Sequence, residues 1–304
     1  MAVPMNSVNF RSIVEPILNE EFDGIYDQRA DEWKPVFREQ RGIPRNYHEE
    51  PVLYGFGAAP ELPDGMPVNY QSGGVLFLKR YYYRVYGLAF ALTKVLVEDG
   101  DHIRIGQIYA RHLAQSMIET KETLCANVLN NSFSGSYLGG DGVALISTAH
   151  PVVSGTQSNQ LATAAVLSQT STEQLLIQIR NAADNNGKRI RLTPKQFVLS
   201  PSNVFQGEVI LKSILRSGTA NNDINPVKSM GMLKDGQANM SRLTSTTAWW
   251  IETDAPEGLK LMMRRSLEKS MEGDFDTDSM RYKSTERYIP GWTDWRGIYG
   301  TAGI

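Results

Sequence analysis

The sequence predicts an α+β fold, and three observations carry the prediction. Residues 51–97 are dense in β-branched and aromatic side chains, as in strands. A proline-free stretch of about thirty residues follows, with apolar side chains at helical spacing. Strand-like and helix-like segments then alternate, and the chain returns to strands beyond residue 256. A chain of 304 residues is long enough for one large domain or two ordinary ones. Its 41% hydrophobic and 21% charged residues are those of a folded, globular protein.

Residues 1–50 read as an N-terminal arm. In FRSIVEPILNEEFDGIYD, Ile13, Val14, Ile17, Leu18, Phe22 and Ile25 recur at spacings of three and four, which predicts a short amphipathic helix. Pro16 must sit in its first turn or kink it. The first fifty residues hold ten acidic against six basic side chains, a net of −4. With little core of its own, the arm is expected to be ordered by neighbouring chains.

Next come VLYGFG and VLFLKRYYYRVYGLAFALTKVLV, two β-like runs separated by AAPELPDGMPVNYQSGG, rich in Pro and Gly. Read as one strand, the second run shows Val75, Phe77, Tyr81, Tyr83 and Val85 on one face. Leu76, Leu78, Tyr82, Tyr86, Leu88 and Phe90 lie on the other. A ribbon apolar on both faces needs cover on both. Burial against another subunit is one solution, and a central position in a sandwich is the other.

Residues 100–132 give the strongest helical pattern. Leu113, Met117, Leu124 and Val128 share a face, led in by Ile103 and Ile108, while Arg111, Gln115, Glu119 and Glu122 occupy other faces. Such a helix is about 45 Å long and implies an elongated body. Farther on, STEQLLIQIRNAADNNG predicts a helix capped by Ser171 or Thr172 and stopped at Gly187. RIRLTPKQFVLSP predicts a strand. SNVFQGEVILKSILRSG predicts a helix using Val204, Phe205, Val209, Ile210 and Ile214. Residues 221–236 read as loop, and TAWWIETDAP and LKLMMRRSL as strands. A further strand spans Met280–Ile289, before an aromatic tail with Trp292, Trp295 and Tyr299.

Enzyme chemistry finds little purchase. In DGVALISTAHPV, Ser147 and His150 lack a G-x-S-x-G elbow, and Asp141 is a third partner only by sequence proximity. The bland reading is a strand, VALIST, ending at a turn set by Pro151. His48, His102 and His112 form no H-E-x-x-H pattern, and no phosphate-binding loop occurs. Asp274, Asp276 and Asp278 lack the Gly and Glu of a calcium loop. The single Cys125 rules out an intramolecular disulfide and a cysteine zinc site. No signal peptide or membrane-length apolar run is present, so synthesis in a reducing cytoplasm is expected. A net charge of −2 argues against a protein that neutralises phosphates. No catalytic, metal or cofactor residue is assigned, and a structural role is expected.

The stretch DGVALISTAHP, with the Gly/Ser/Asn-rich loop after it, resembles a segment of tailed-phage major capsid proteins, especially the Mu-like major head subunit group. DSMRYKSTERYIPGWTDWRGIYG resembles their C-terminal strand with its D-W-R-G ending. The order of elements is similar to the Hong Kong 97 capsid fold along nearly the whole chain. The resemblance implies an N-arm at 1–50, an extended loop at 51–85, and a peripheral domain at 86–139 with a spine helix at about 101–132. It further implies an axial domain at 140–255 and a return to the peripheral domain at 256–304.

Ser147 and His150 would then be structural, and the ribbon would be buried on adjacent subunits. Phe22, Leu62, Tyr70, Phe77, Lys79, Tyr81, Tyr82, Tyr83, Trp292 and Trp295 are the candidate subunit-interface residues. The implied function is a major head protein that self-assembles, as hexamers and pentamers, into an icosahedral shell around DNA that it does not bind specifically. It would act in the virion capsid after assembly in the host bacterial cytoplasm, with no membrane partner. Because the sequence shows no long charged helical extension before the arm, a separate scaffold protein is expected, with a portal and a decoration protein as further partners. No motif carries over the lysine–asparagine crosslinking of one branch of the fold to Lys79. The alternatives are a nanocompartment or gene-transfer shell of the same fold, a Ser/His hydrolase, and a tail or baseplate protein.

Overall fold

Pro16 lies in the interior of the first helix, α1 (Ser7–Gln28), rather than in its first turn. This computed structural model describes residues 7–28, 31–41, 45–93, 95–96, 99–216, 223–274 and 279–304. Asp276, Asp278, Asn221 and the side chain of Ile13, all singled out in the sequence, lie outside the described residues.

Val14, Leu18 and Phe22, four residues apart, form one buried face of α1. They pack with Ala110, Leu113, Ala114 and Met117 of the long helix α2 (His102–Asn130). At Gly106 of α2, a Cβ would come within 3.1 Å of Leu18 and 3.3 Å of Leu92, so the absent side chain lets the layers close. Trp33, Val36 and Phe37 then enter the main core of the chain. The expectation that neighbouring chains order this segment is therefore corrected: its apolar face is satisfied within the molecule.

At 29 residues, α2 is about 44 Å long. Leu113 and Met117 are buried as expected, whereas Ile103 and Ile108 are exposed and Glu122 is buried. A mixed sheet packs beside it in the order β1-β10-β11-β4. Its strands are β1 (Arg38–Arg41), β10 (Leu259–Asp274), β11 (Ser279–Trp292) and β4 (Arg84–Leu92). Met271, Met280, Tyr282 and Leu92 fill the space between this sheet and the two helices.

The β-rich run after residue 74 is not one strand. β3 (Gly74–Tyr82) pairs only with β2 (Tyr47–Tyr54), in a two-stranded ribbon, while β4 joins the four-stranded sheet. Tyr83 lies between them and donates its N–H to the carbonyl of Asn46. The central position in a sandwich is not found: the first half is a two-stranded ribbon, and the second is the edge strand of the four-stranded sheet. Parity does not run across the break.

A second sheet has the order β12-β9-β7-β8. It contains β7 (Pro194–Leu199), β8 (Gly236–Asn239), β9 (Trp249–Thr253) and β12 (Ile298–Thr301). Phe197, Val198, Leu199, Trp249, Trp250 and Ile251 anchor the core there. Around it lie α3 (Gln169–Arg180), α4 (Val204–Lys212) and the short α5 (Pro226–Ser229). The cap of α3 is Ser168, whose side chain accepts from the N–H of Ser171; α3 ends at Arg180, and Gly187 belongs to a later turn. In α4, Ile210 is buried but Phe205 and Val209 are exposed, and Ile214 lies beyond its end. Helix α5 falls within the stretch read as loop.

The expected return of 256–304 to the first sheet is only partly what happens. β10 and β11 lie there, but β12 crosses to pair antiparallel with β9. VALIST is not a strand either. Leu145 and Ile146 are buried in irregular backbone, because Asn159 donates through Nδ2 to the Leu145 carbonyl and accepts the Ser147 N–H. Pro151 lies within a small hairpin formed by β5 (His150–Val152) and β6 (Gly155–Gln157).

Candidate subunit-contact site

The root of the β2–β3 ribbon is fixed by buried polar chemistry. Glu50 of β2 accepts from Lys260 Nζ and Thr293 Oγ1, both at 2.9 Å, and its Oε1 lies 2.5 Å from His48 Nε2. Burial alone would raise the Glu50 carboxyl; the hydrogen bonds from Lys260 and His48 more than offset it and hold the group below its ordinary value. Tyr81 donates its hydroxyl to the Trp292 carbonyl at 2.5 Å and accepts the Trp292 N–H at 3.1 Å. Gly291 makes room for that ring, since a Cβ there would lie 2.6 Å from it. Lys79 Nζ donates to the Leu138 carbonyl at 2.6 Å. From the second sheet's side, Asn185 and Asn186 donate to the carbonyls of Leu53 and Gly55 at 3.0 and 2.7 Å.

Beyond that root the ribbon loses its support. Residues 55–73 are exposed throughout, with Leu62 at 54% and Tyr70 at 98% of full exposure. Phe56, Met66 and Val68 in the same loop are also exposed, as are Leu53, Val75, Leu78 and Tyr82 on the strands. Monomeric proteins rarely display this much contiguous apolar surface, and such a patch marks a site of association.

The ten candidate contact residues divide accordingly. Leu62, Tyr70 and Tyr82 present open surface, and Phe77 and Lys79 are half-buried. Phe22, Tyr81, Tyr83 and Trp295 are buried within their own chain and have no surface to offer a neighbour in this conformation. Trp292 is half-buried against the main core. Sequence reasoning missed Leu53, Phe56, Met66, Val68, Val75 and Leu78. For Phe56, Met66 and Val68 the signal is a row of apolar residues in the Pro/Gly-rich loop, with no helical or strand period to bury them; for Leu53, Val75 and Leu78 it is their place on the two-faced β-runs.

The Ser147–His150 pair is not a catalytic arrangement. His150 is fully buried, with Nδ1 2.6 Å from Asp141 Oδ2 and Nε2 3.1 Å from Asn159 Oδ1. Its ring stacks on Trp295 at 4.4 Å between centroids. Ser147 Oγ instead accepts from the N–H of Ala149. The histidine ties Asp141, Asn159 and the distant Trp295 together and leaves no nitrogen turned toward the serine.

Against known proteins, the profile of the phage capsid protein family matches residues 84–301, well over half of the sequence. The chain belongs to the phage capsid protein family. Among curated proteins none matches it. Solved structures extend the similarity in fold to the N-terminal part. The capsid of cyanophage P-SCSP1u superposes with a TM-score of 0.57 at 8% identity, covering 88% of this chain and 86% of that one. The mature capsid of bacteriophage PhiM1 gives 0.53 at 12% identity, over 90% and 87%. The virus-like particle of Pyrococcus furiosus gives 0.54 at 10% identity, over 94% and 98%. The fold is the Hong Kong 97 capsid fold, and this phage capsid protein forms the shell of a virion by association of many copies.

Proposed function

We propose that this capsid protein is the major head subunit of a Mu-like tailed phage, and that the ribbon tip is its principal contact with neighbouring copies. One observation supports the proposal above the others: a rigidly rooted ribbon carries an apolar loop that its own chain leaves uncovered. Fully burying one side chain of this size is worth about 1.5–3 kcal/mol, so a few such side chains per subunit contact suffice for a lattice of individually weak contacts. In this reading the subunits form hexamers and pentamers of an icosahedral head assembled in the bacterial cytoplasm. A separate scaffold, a portal and a decoration protein act with it. Its own residues carry no catalysis.

Deleting residues 58–73 tests the reading. The expected product is a folded protomer or loose capsomer that makes no stable shell. Shells of unchanged number and thermal stability would refute the role of the tip. The fold of the P. furiosus particle favours a second reading, a shell outside phage biology. Nuclease-protected genomic DNA inside purified particles decides for the phage head, and its absence for the second reading.

A further inference from the structure

Asn186 and Gly187 form the one Asn–Gly pair in the sequence. They sit in a tight turn between Ala183 and Arg189, which face each other across a β-bridge. Asp184 organises the turn. Its Oδ1 accepts the N–H groups of Asn186 and Lys188, both at 2.9 Å, and its main-chain carbonyl accepts the Gly187 N–H at 3.2 Å. Gly187 is exposed and stands at φ +83°, in the left-handed region. The Asn186 side chain is half-buried and donates through Nδ2 to the Gly55 carbonyl at 2.7 Å, where the ribbon leaves the body.

Two groups that react with each other in water are thus neighbours. Asparagine is among the thermolabile side chains. Its amide carbon is an electrophile, and the main-chain nitrogen of the next residue can close on it into a five-membered ring. A side chain on that next residue obstructs closure; glycine, with no Cβ and wide backbone freedom, does not. In the folded chain both reactants are engaged elsewhere, the amide on Gly55 and the nitrogen on the Asp184 carbonyl. Neither bond lies deep, because Gly187 is exposed and the ribbon beyond Gly55 is exposed throughout. Local opening of the root frees both groups.

We propose that Asn186 is a site of spontaneous deamidation, guarded by the seated ribbon, and that the reaction is a one-way release of the ribbon root. Solvent hydroxide takes the Gly187 N–H proton, and the nitrogen attacks Asn186 Cγ. The new Cγ–N bond forms, the Cγ–Nδ2 bond breaks, and the amide leaves as ammonia with a proton from water. Water then opens the ring at one of its two carbonyls, giving aspartate or isoaspartate. The balance is one water in and one ammonia out, with no oxidant or reductant. Either product puts a carboxylate where the amide donated. The Gly55 carbonyl then meets an oxygen instead of an N–H, and the Asp184 carboxylate beside it adds like charge. Isoaspartate also lengthens the main chain within the turn and strains the Ala183–Arg189 pairing. Of the two amides on the ribbon, Asn185 alone keeps its bond. The inference concerns the root of the ribbon and not what its tip touches, so it stands apart from the shell reading.

Mass spectrometry of the full-length protomer tests it. After incubation in mildly alkaline buffer, the tryptic peptide Asn181–Lys188 is fragmented to locate each amide-to-acid mass gain. Conversion at Asn186 is expected, roughly tenfold slower than in the urea-unfolded chain, with Asn185→Ala converting at a rate between the two. Asn186→Gln, whose longer side chain cannot form the five-membered ring, is expected to show no gain there. Asn186→Asp supplies the product directly. Its β2 amides are expected to exchange about fivefold faster than wild type, with α2 unchanged. If Asn186→Asp lowers the melting of the whole protomer, Asn186→Ala removes the donor without adding charge and carries the same comparison. Folded protein that stays unconverted for about a hundred half-lives of the unfolded chain overturns the inference. Conversion as fast folded as unfolded overturns the guarding role, and wild-type exchange of β2 in Asn186→Asp overturns the release.

Discussion

Asn185 donates through Nδ2 to the main-chain carbonyl of Leu53 across 3.0 Å, while its Oδ1 accepts from Arg296 Nη2 at the same distance. One side chain thus joins the ribbon root to the turn before β12. Asn186 repeats the contact on Gly55. The direction in which the ribbon leaves the body is set by these two amides. Replacing both with alanine removes three hydrogen bonds worth about 0.5–1.5 kcal/mol each, two of them to the ribbon. The protomer stays folded, and amide exchange in β2 accelerates roughly tenfold while α2 is unaffected. Unchanged exchange in β2 would show that the amides do not hold the root.

Lys121 and Glu286 form a buried ion pair at 2.9 Å between α2 and β11. Tyr26 of α1 donates to Glu286 and accepts from Lys121, so the pair also holds the first helix. Burial, with Glu286 beside it, pushes the Tyr26 phenol well above its ordinary range. Lys121→Met leaves a buried carboxylate without its cation and is expected to cost about 3–5 kcal/mol in denaturant unfolding. Lys121→Met with Glu286→Leu recovers most of that loss. A single replacement costing under about 1 kcal/mol contradicts this account.

Burial pushes the Glu122 carboxyl from 4.5 up to about 7, with the N–H of Glu32, which donates to it at 2.7 Å, pulling the other way. A carboxyl that holds its proton more tightly folded than unfolded stabilises the fold fully below 4.5, and this contribution is lost as pH rises through 7. Glu122→Gln keeps the neutral form at every pH. Its stability relative to wild type is expected to rise by roughly 2–3 kcal/mol between pH 4 and pH 8. A difference that stays flat with pH would mean that folding does not shift the Glu122 carboxyl.

His150→Ala removes the stack on Trp295 and the partner of Asp141. The expected result is a destabilised protomer, by about 1–3 kcal/mol, with no ester- or peptide-hydrolysing activity to lose. A variant as stable as wild type that has lost a hydrolytic activity would restore the hydrolase alternative.

The elements with the longest period were the most legible in the sequence. The α2 helix follows from spacing, the strands at LKLMMRRSL and Met280–Ile289 follow from β-like composition, and the loop between β2 and β3 follows from Pro and Gly. What stayed hidden was the identity of each apolar partner. Tyr81 and Tyr82 are adjacent and equally aromatic, yet one is buried at the ribbon root and the other points to solvent. Neighbouring residues on a strand face opposite ways, and the root covers only one of them. The break at Tyr83 left no mark, because both sides of it are β-formers. Glu122 looked like a surface residue, since its burial comes from Glu32 and its surroundings ninety residues away in sequence. The crossing of β12 was equally invisible: four residues contain no record of which sheet edge they will meet.

That crossing bears on how the molecule is made. β12 supplies an outer strand of the second sheet, beside β9, and β10 and β11 must arrive before β1 and β4 share a sheet. A growing chain therefore completes neither sheet until nearly all of it has left the ribosome, with strand edges waiting unpaired meanwhile. Translation itself therefore holds back a finished subunit until its last strand is released.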